Sequence, residues 1–152
     1  MSRTALLDVN VLLALSNPRH MHHEIAHDWF TDHHALGWAT CAVTQNGFVR
    51  VLSNSAAGAG TFRPAEVIDL LRRFCSAKEH VFWPDAVSLT DSKLFNPSHI
   101  RGYRQVTDIY LLGLAKTMGG YLATFDAGIP LGAVIGATRD TIAVISAGDS
   151  DE

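Results

Sequence analysis

The sequence predicts an α/β protein built on a parallel sheet with helices on both faces. Short apolar segments of strand character alternate with longer segments whose apolar residues recur at helical spacing, the pattern of strand–helix–strand units. Two of the strand-like segments run directly into aspartates, Asp8 and Asp126. That is where chemistry is expected, because open α/β sheets bind their ligands beyond the carboxyl ends of the strands. The chain of 152 residues suits one domain and buries enough surface to fold without disulfides or a structural metal.

In chain order, Thr4–Leu7 reads as a buried strand and Asn10–Leu15 as a short helix stopped by Asn17-Pro18. His22–His33 is amphipathic, with Ile25, Ala26, Trp29 and Phe30 on one face. Leu36–Ala39 reads as a second strand, after which Thr44 is placed to cap a helix running to Leu52. Ser53–Gly60 is small and polar, a loop, and Pro64 opens the next helix, which carries Val67, Ile68, Leu70, Leu71 and Phe74. His80–Trp83 is a third strand. Asp85–Arg104 shows no clear period. Val106–Met118 is a helix closed by Gly119-Gly120, followed by strands at Tyr121–Phe125 and Thr141–Ile145. Residues 1–147 form the expected single domain, and 148–152 an acidic, frayed tail.

Composition excludes several classes. With 47% hydrophobic and 18% charged residues the chain is an ordinary globular one. Its net charge of −3 provides no global attraction for nucleic acid, so any such contact must be local. Cys41 and Cys75 are far apart and read as reduced thiols, which fits a cytoplasmic protein. The apolar stretch from Ala5 to Leu15 is interrupted by Asp8 and Asn10, unlike a signal peptide, and Ile129–Ala137 is too short and too rich in Gly and Pro to span a bilayer.

Asp108 falls near the start of the helix that leads into the strand ending at Asp126. Asp8, Asp108 and Asp126 are therefore expected at one sheet edge. Each alone reads equally well as a helix cap. Three at matching positions point to a site. Clustered carboxylates repel one another, and a divalent cation relieves the repulsion. Oxygen-only donors favour Mg²⁺ or Mn²⁺, which can activate water and stabilise charge on a phosphodiester.

Four segments carry a family resemblance. Leu6-Leu7-Asp8-Val9-Asn10-Val11-Leu12 resembles the opening motif of PIN domains. Gln105-Val106-Thr107-Asp108-Ile109-Tyr110-Leu111-Leu112 and Leu122-Ala123-Thr124-Phe125-Asp126 resemble the third- and fourth-acid motifs of VapC ribonucleases. Thr44-Gln45-Asn46-Gly47-Phe48-Val49-Arg50-Val51-Leu52 lies between them in the family's order. The resemblance implies a three-layer α/β/α sandwich and Mg²⁺-dependent endoribonuclease activity. It further implies a role as toxin of a toxin–antitoxin pair, a homodimer and inhibition by a small antitoxin protein, with no membrane partner. Asp8, Asp108 and Asp126 take the catalytic, metal-binding positions. The family places Glu where this chain has Gln45, which can offer a carbonyl oxygen but no charge.

Asn10, Thr107 and Thr124 adjoin the acids and are placed to orient carboxylates or bound water; capping and strand propensity explain them as well. Arg101, Tyr103 and Arg104, preceded by His99, suit phosphate contact and base stacking, and Arg50 is placed to reach substrate. All four also read as solvated surface. His23-Glu24-Ile25-Ala26-His27 matches the HExxH zinc pattern, although six histidines between His20 and His34 make a chance match easy. Three functions are thus open. The first is a metal-dependent ribonuclease. The second, favoured by Gln45, is a catalytically weak module of the same fold that binds RNA or protein. The third is a small zinc hydrolase using His23 and His27.

Overall fold

A computed structural model describes residues 3–54 and 62–147. Its centre is a sheet of five parallel strands: β1 (Ala5–Leu7), β2 (Trp38–Cys41), β3 (His80–Trp83), β4 (Tyr121–Thr124) and β5 (Ile142–Val144), in the order β3-β2-β1-β4-β5. The helices are α1 (Val9–Ser16), α2 (His23–His33), α3 (Ala42–Leu52), α4 (Pro64–Phe74) and α5 (Val106–Thr117).

Alternation along the strands divides the apolar side chains between two cores. Ala5, Leu7, Trp38, Tyr121 and Ala123 face α1, α3 and α4, meeting Leu12, Phe48, Val67 and Leu71. Leu6, Ala39, Cys41, Trp83 and Leu122 face α5, meeting Ile109, Leu111, Leu112 and Phe95. Burying a sheet on both faces requires apolar residues at successive strand positions, which is why β1 and β4 are continuously buried. The expected three-layer sandwich with a parallel sheet is therefore present. No helix among the described residues is long and apolar enough to cross a membrane.

Several boundaries differ from expectation. The second strand is Trp38–Cys41 and not Leu36–Ala39. Gly37, at φ +104°, turns the chain out of the one-turn helix His34–Leu36, a conformation that favours glycine. The strand then continues through Thr40 and Cys41 because they pair with Phe82 and Trp83 of β3. Thr44 is not the cap of α3. The helix begins at Ala42 behind Cys41, and the Thr44 hydroxyl, one turn in, accepts the Cys41 N–H at 2.9 Å. Thr141 belongs to a one-turn helix before β5. Asp85–Arg104 contains short 3-10 turns, at Pro97–His99 and Tyr103–Gln105, and an isolated bridge from Phe95 to Val134, and it buries Leu94 and Phe95 against α5. Most of the loop expected at 53–60 and all of the tail at 148–152 lie outside the described residues.

The strand order also locates a site. The chain leaves β1 for β2 and β3 on one side, then crosses to β4 and β5 on the other. Such a reversal opens a crevice at the carboxyl ends of the strands where the order switches. Here the switch falls between β1 and β4.

Candidate active site

Asp8 follows β1 directly. The register pairs Leu7 with Ala123, so Asp8 stands beside Thr124. The Asp8 N–H donates to the Ala123 carbonyl at 3.1 Å, and the Thr124 hydroxyl donates to Asp8 Oδ2 at 2.8 Å. Asp8 occupies the N-cap position of α1 but its carboxylate makes no capping hydrogen bond. Asp8 is 7% exposed. Burial pushes its pKa up, the Thr124 hydroxyl and the amides at the start of α1 oppose this, and Asp126 adds to the rise.

Asp126 lies two residues beyond β4 and is exposed. Its N–H donates to Thr124 Oγ1 at 3.1 Å, and its Oδ1 accepts the Gly128 N–H at 2.7 Å. One threonine hydroxyl thus joins the two strand ends, accepting from the backbone of Asp126 while donating to Asp8. Asp108, in the first turn of α5, is half-buried. Its pKa is pushed up to about 6, first by burial, then by the charges of Asp8 and Asp126. The three aspartates predicted from sequence therefore act on one another electrostatically. As they stand, no group of three or more His, Cys, Asp or Glu side chains among the described residues is drawn in tightly enough to hold a metal ion. The donor chemistry, carboxylate oxygens that at Asp8 and Asp108 are made costly to ionise by burial and repulsion, fits a hard divalent cation.

A cleft of about 550 Å³ opens over Asp8 and Asp108, with Thr107, Asn46 and Arg50 in its walls. Its floor is narrow because α3 lies against α1. A Cβ on Gly47 would come within 2.8 Å of Val9 Cγ2, so this approach needs glycine. Thr107 and Arg50 are where the sequence reading placed them. Asn46 was missed, although Ala42, Asn46 and Arg50 share one face of α3 at i, i+4 spacing. Asn10 is exposed, and among the described residues no hydrogen bond joins its side chain to the acids.

Gln45 does not line this cleft. It lines the adjoining groove between α3 and α4 and donates through Nε2 to Thr40 Oγ1 at 3.0 Å. Thr40 Oγ1 in turn lies 2.8 Å from His80 Nε2. Burial lowers the His80 pKa, against a hydrogen bond to the Cys75 backbone; with the other ring nitrogen donating to that carbonyl, Nε2 is left to accept the Thr40 proton. The position expected to furnish a fourth ligand is instead part of a Gln45–Thr40–His80 relay tying α3 to β2 and β3.

The HExxH segment likewise serves the fold. His23 Nδ1 lies 2.7 Å from the Ala14 carbonyl, which can only accept, so His23 donates and pins α2 to α1. His27 is exposed, and no third ligand gathers around the pair among the described residues. Tyr103 and Arg104 are exposed and pack on each other, with the guanidinium 5.7 Å from the ring centroid.

A parallel α/β/α sandwich that gathers the acids of β1, α5 and β4 at its switch point is a PIN-like domain. No family model matches the chain. Ribonuclease VapC44 of Mycobacterium tuberculosis is 48% identical over 141 residues, covering 93% of this chain and 99% of the relative. Ribonuclease VapC39 of the same organism is 44% identical over 126 residues, covering 83% and 91%, and Ribonuclease VapC38 is 45% identical over 125 residues, covering 82% and 86%. The chain belongs to the VapC ribonuclease family.

Proposed function

We propose that this chain is an endoribonuclease that hydrolyses RNA phosphodiester bonds at the cleft over Asp8 and Asp108, with Mg²⁺ or Mn²⁺ held by Asp8, Asp108 and Asp126. The observation that carries the proposal is the convergence of these three carboxylates, in a chain nearly half identical to proteins named ribonucleases. When bound, the cation supplies a nucleophilic water and charge stabilisation at the phosphate. The protein's own groups do the rest. Thr124 fixes the Asp8 carboxylate, Arg50 draws a phosphate toward the acids, and Asn46 and Thr107 offer hydrogen bonds to the sugar–phosphate chain. The same reading makes the chain the toxin of a toxin–antitoxin pair, working as a homodimer and restrained by a small antitoxin.

The test is cleavage of structured RNAs by the purified protein with Mg²⁺ or with EDTA. Asp8→Ala, Asp108→Ala and Asp126→Ala should each suppress cleavage with circular dichroism unchanged. The losses should not add in double variants, because the residues act as a unit. Cleavage by Asp8→Ala at the parental rate would overturn the proposal in favour of a binding module. Gln45, which prompted that rival, bears on the relay to His80 and lends it little support.

A further inference from the structure

We infer that the pocket formed by Ser98, His99, Arg101, Gln105 and Gly128 is a phosphate subsite for the RNA strand on the Asp126 side of the acids. The inference rests on the ribonuclease reading and assigns to the substrate a surface outside the cleft already described. The pocket has a volume of about 330 Å³. It is joined to the acids at two points. Gly128 donates its N–H to Asp126 Oδ1 at 2.7 Å, and Gln105 stands at the N-cap of the helix that carries Asp108.

Its side chains supply donors for an anion. Gln105 Oε1 accepts the Arg101 N–H at 2.9 Å, which leaves the Gln105 Nε2 donors for a ligand. The Arg101 guanidinium, like that of Arg50 in the cleft wall, has no ion-pair partner among the described residues. His99 packs beside Gly132, where a Cβ would come within 2.8 Å of its Nδ1, so the absence of a side chain there makes room for the ring. No carboxylate lines the pocket. A guanidinium, an imidazole and an amide NH₂ around one small cavity match the oxygens of a phosphodiester.

The position explains the ligand's source. Arg50 stands in the cleft wall near Asp8 and Asp108, and Arg101 in the pocket bordering Asp126. A single strand crossing the acids would place one phosphate at each basic group, with the scissile linkage between them. Tyr103 and Arg104, exposed and packed on each other, are not part of this subsite. A free phosphate ion offers the same oxygens but no chain to hold it across the acids.

The test is fluorescence anisotropy with a short single-stranded RNA in EDTA, which prevents metal-dependent cleavage, over a range of salt. Arg101→Gln should weaken binding about tenfold and reduce the slope of log K against log salt by about 0.7, the value of one phosphate contact on a single strand. Arg101→Lys should recover part of both. Replacing one linkage by a neutral methylphosphonate should weaken binding to the parent, and at one position along the strand it should cost Arg101→Gln nothing further. Equal affinity and equal slope for parent and Arg101→Gln would overturn the inference. So would inorganic phosphate at low millimolar concentration displacing the RNA, or an acidic peptide, and not RNA, responding to the substitution. Binding that depends on Arg101 in a protein that never cuts RNA with Mg²⁺ would leave the subsite standing and refute the nuclease reading. Cutting without any Arg101 effect would do the reverse.

Discussion

Asp108→Asn should stabilise the metal-free protein at neutral pH, although it removes a residue of the site. The folded-state pKa of Asp108 is raised from 3.8 to about 6. Between about pH 4 and 6 the native protein holds a proton that the unfolded chain has released, so stability falls as pH rises through that window and stays at the lower level above it. The whole shift corresponds to ~3 kcal/mol at 1.36 kcal/mol per unit. Asp108 is only half-buried, and solvent screening reduces this to on the order of 1 kcal/mol. For a chain of this size that is a rise in Tm of roughly 2–4 °C. Thermal melts of parent and variant in EDTA from pH 4 to pH 7.5 should show the gain at pH 7 and its disappearance near pH 4. Adding Mg²⁺ should reverse the order, because a cation bound to the folded state alone stabilises the parent. A variant that melts at or below the parent at pH 7, or a gain independent of pH, would refute the reasoning.

Two further substitutions probe the supporting groups. Thr124→Val keeps the shape of the side chain but removes the hydroxyl that donates to buried Asp8. It should lower stability by about 2 kcal/mol, the worth of a hydrogen bond to a charged group, and slow RNA cleavage; a Tm within a degree of the parent would contradict this. Gln45→Glu puts a second acceptor against Thr40, whose single proton His80 already takes. It should cost about 1 kcal/mol and leave the Mg²⁺ titration unchanged, and a distinctly tighter Mg²⁺ titration would show that position 45 reaches the acids after all.

The sequence was most legible where one physical rule dominated. Asp8 and Asp126 could be placed because buried parallel strands are short apolar runs, and the first polar residue beyond each must emerge at the sheet edge. Val106–Thr117 was legible from its apolar repeat and the glycine pair behind it. Gln45 misled because position in a motif does not fix the phase of a helix. One residue further along α3, Asn46 faces the cleft, while Gln45 is turned toward Thr40. That outcome depends on where α3 begins, and its start at Ala42 follows from the pairing of Cys41 with Trp83, a contact across 42 positions that no local pattern contains. The subsite around Arg101 lay in the stretch without periodicity. Its geometry comes from side-chain-to-backbone bonds such as Arg101 to Gln105, which leave no repeat in the sequence.

The bond from Thr124 to Asp8 spans 116 positions. Closing so long a loop is an entropic cost met only when the strands between are in place. In refolding, catalytic competence should therefore be a clock for the final step. Helical signal can return early from α1 to α5, each built on near neighbours, while the acids gain their mutual field only when β4 docks beside β1. A population that has regained its helices but not its cutting activity would consist of chains in which that docking is incomplete, and the lag between the two signals would time the closure of β4 onto β1.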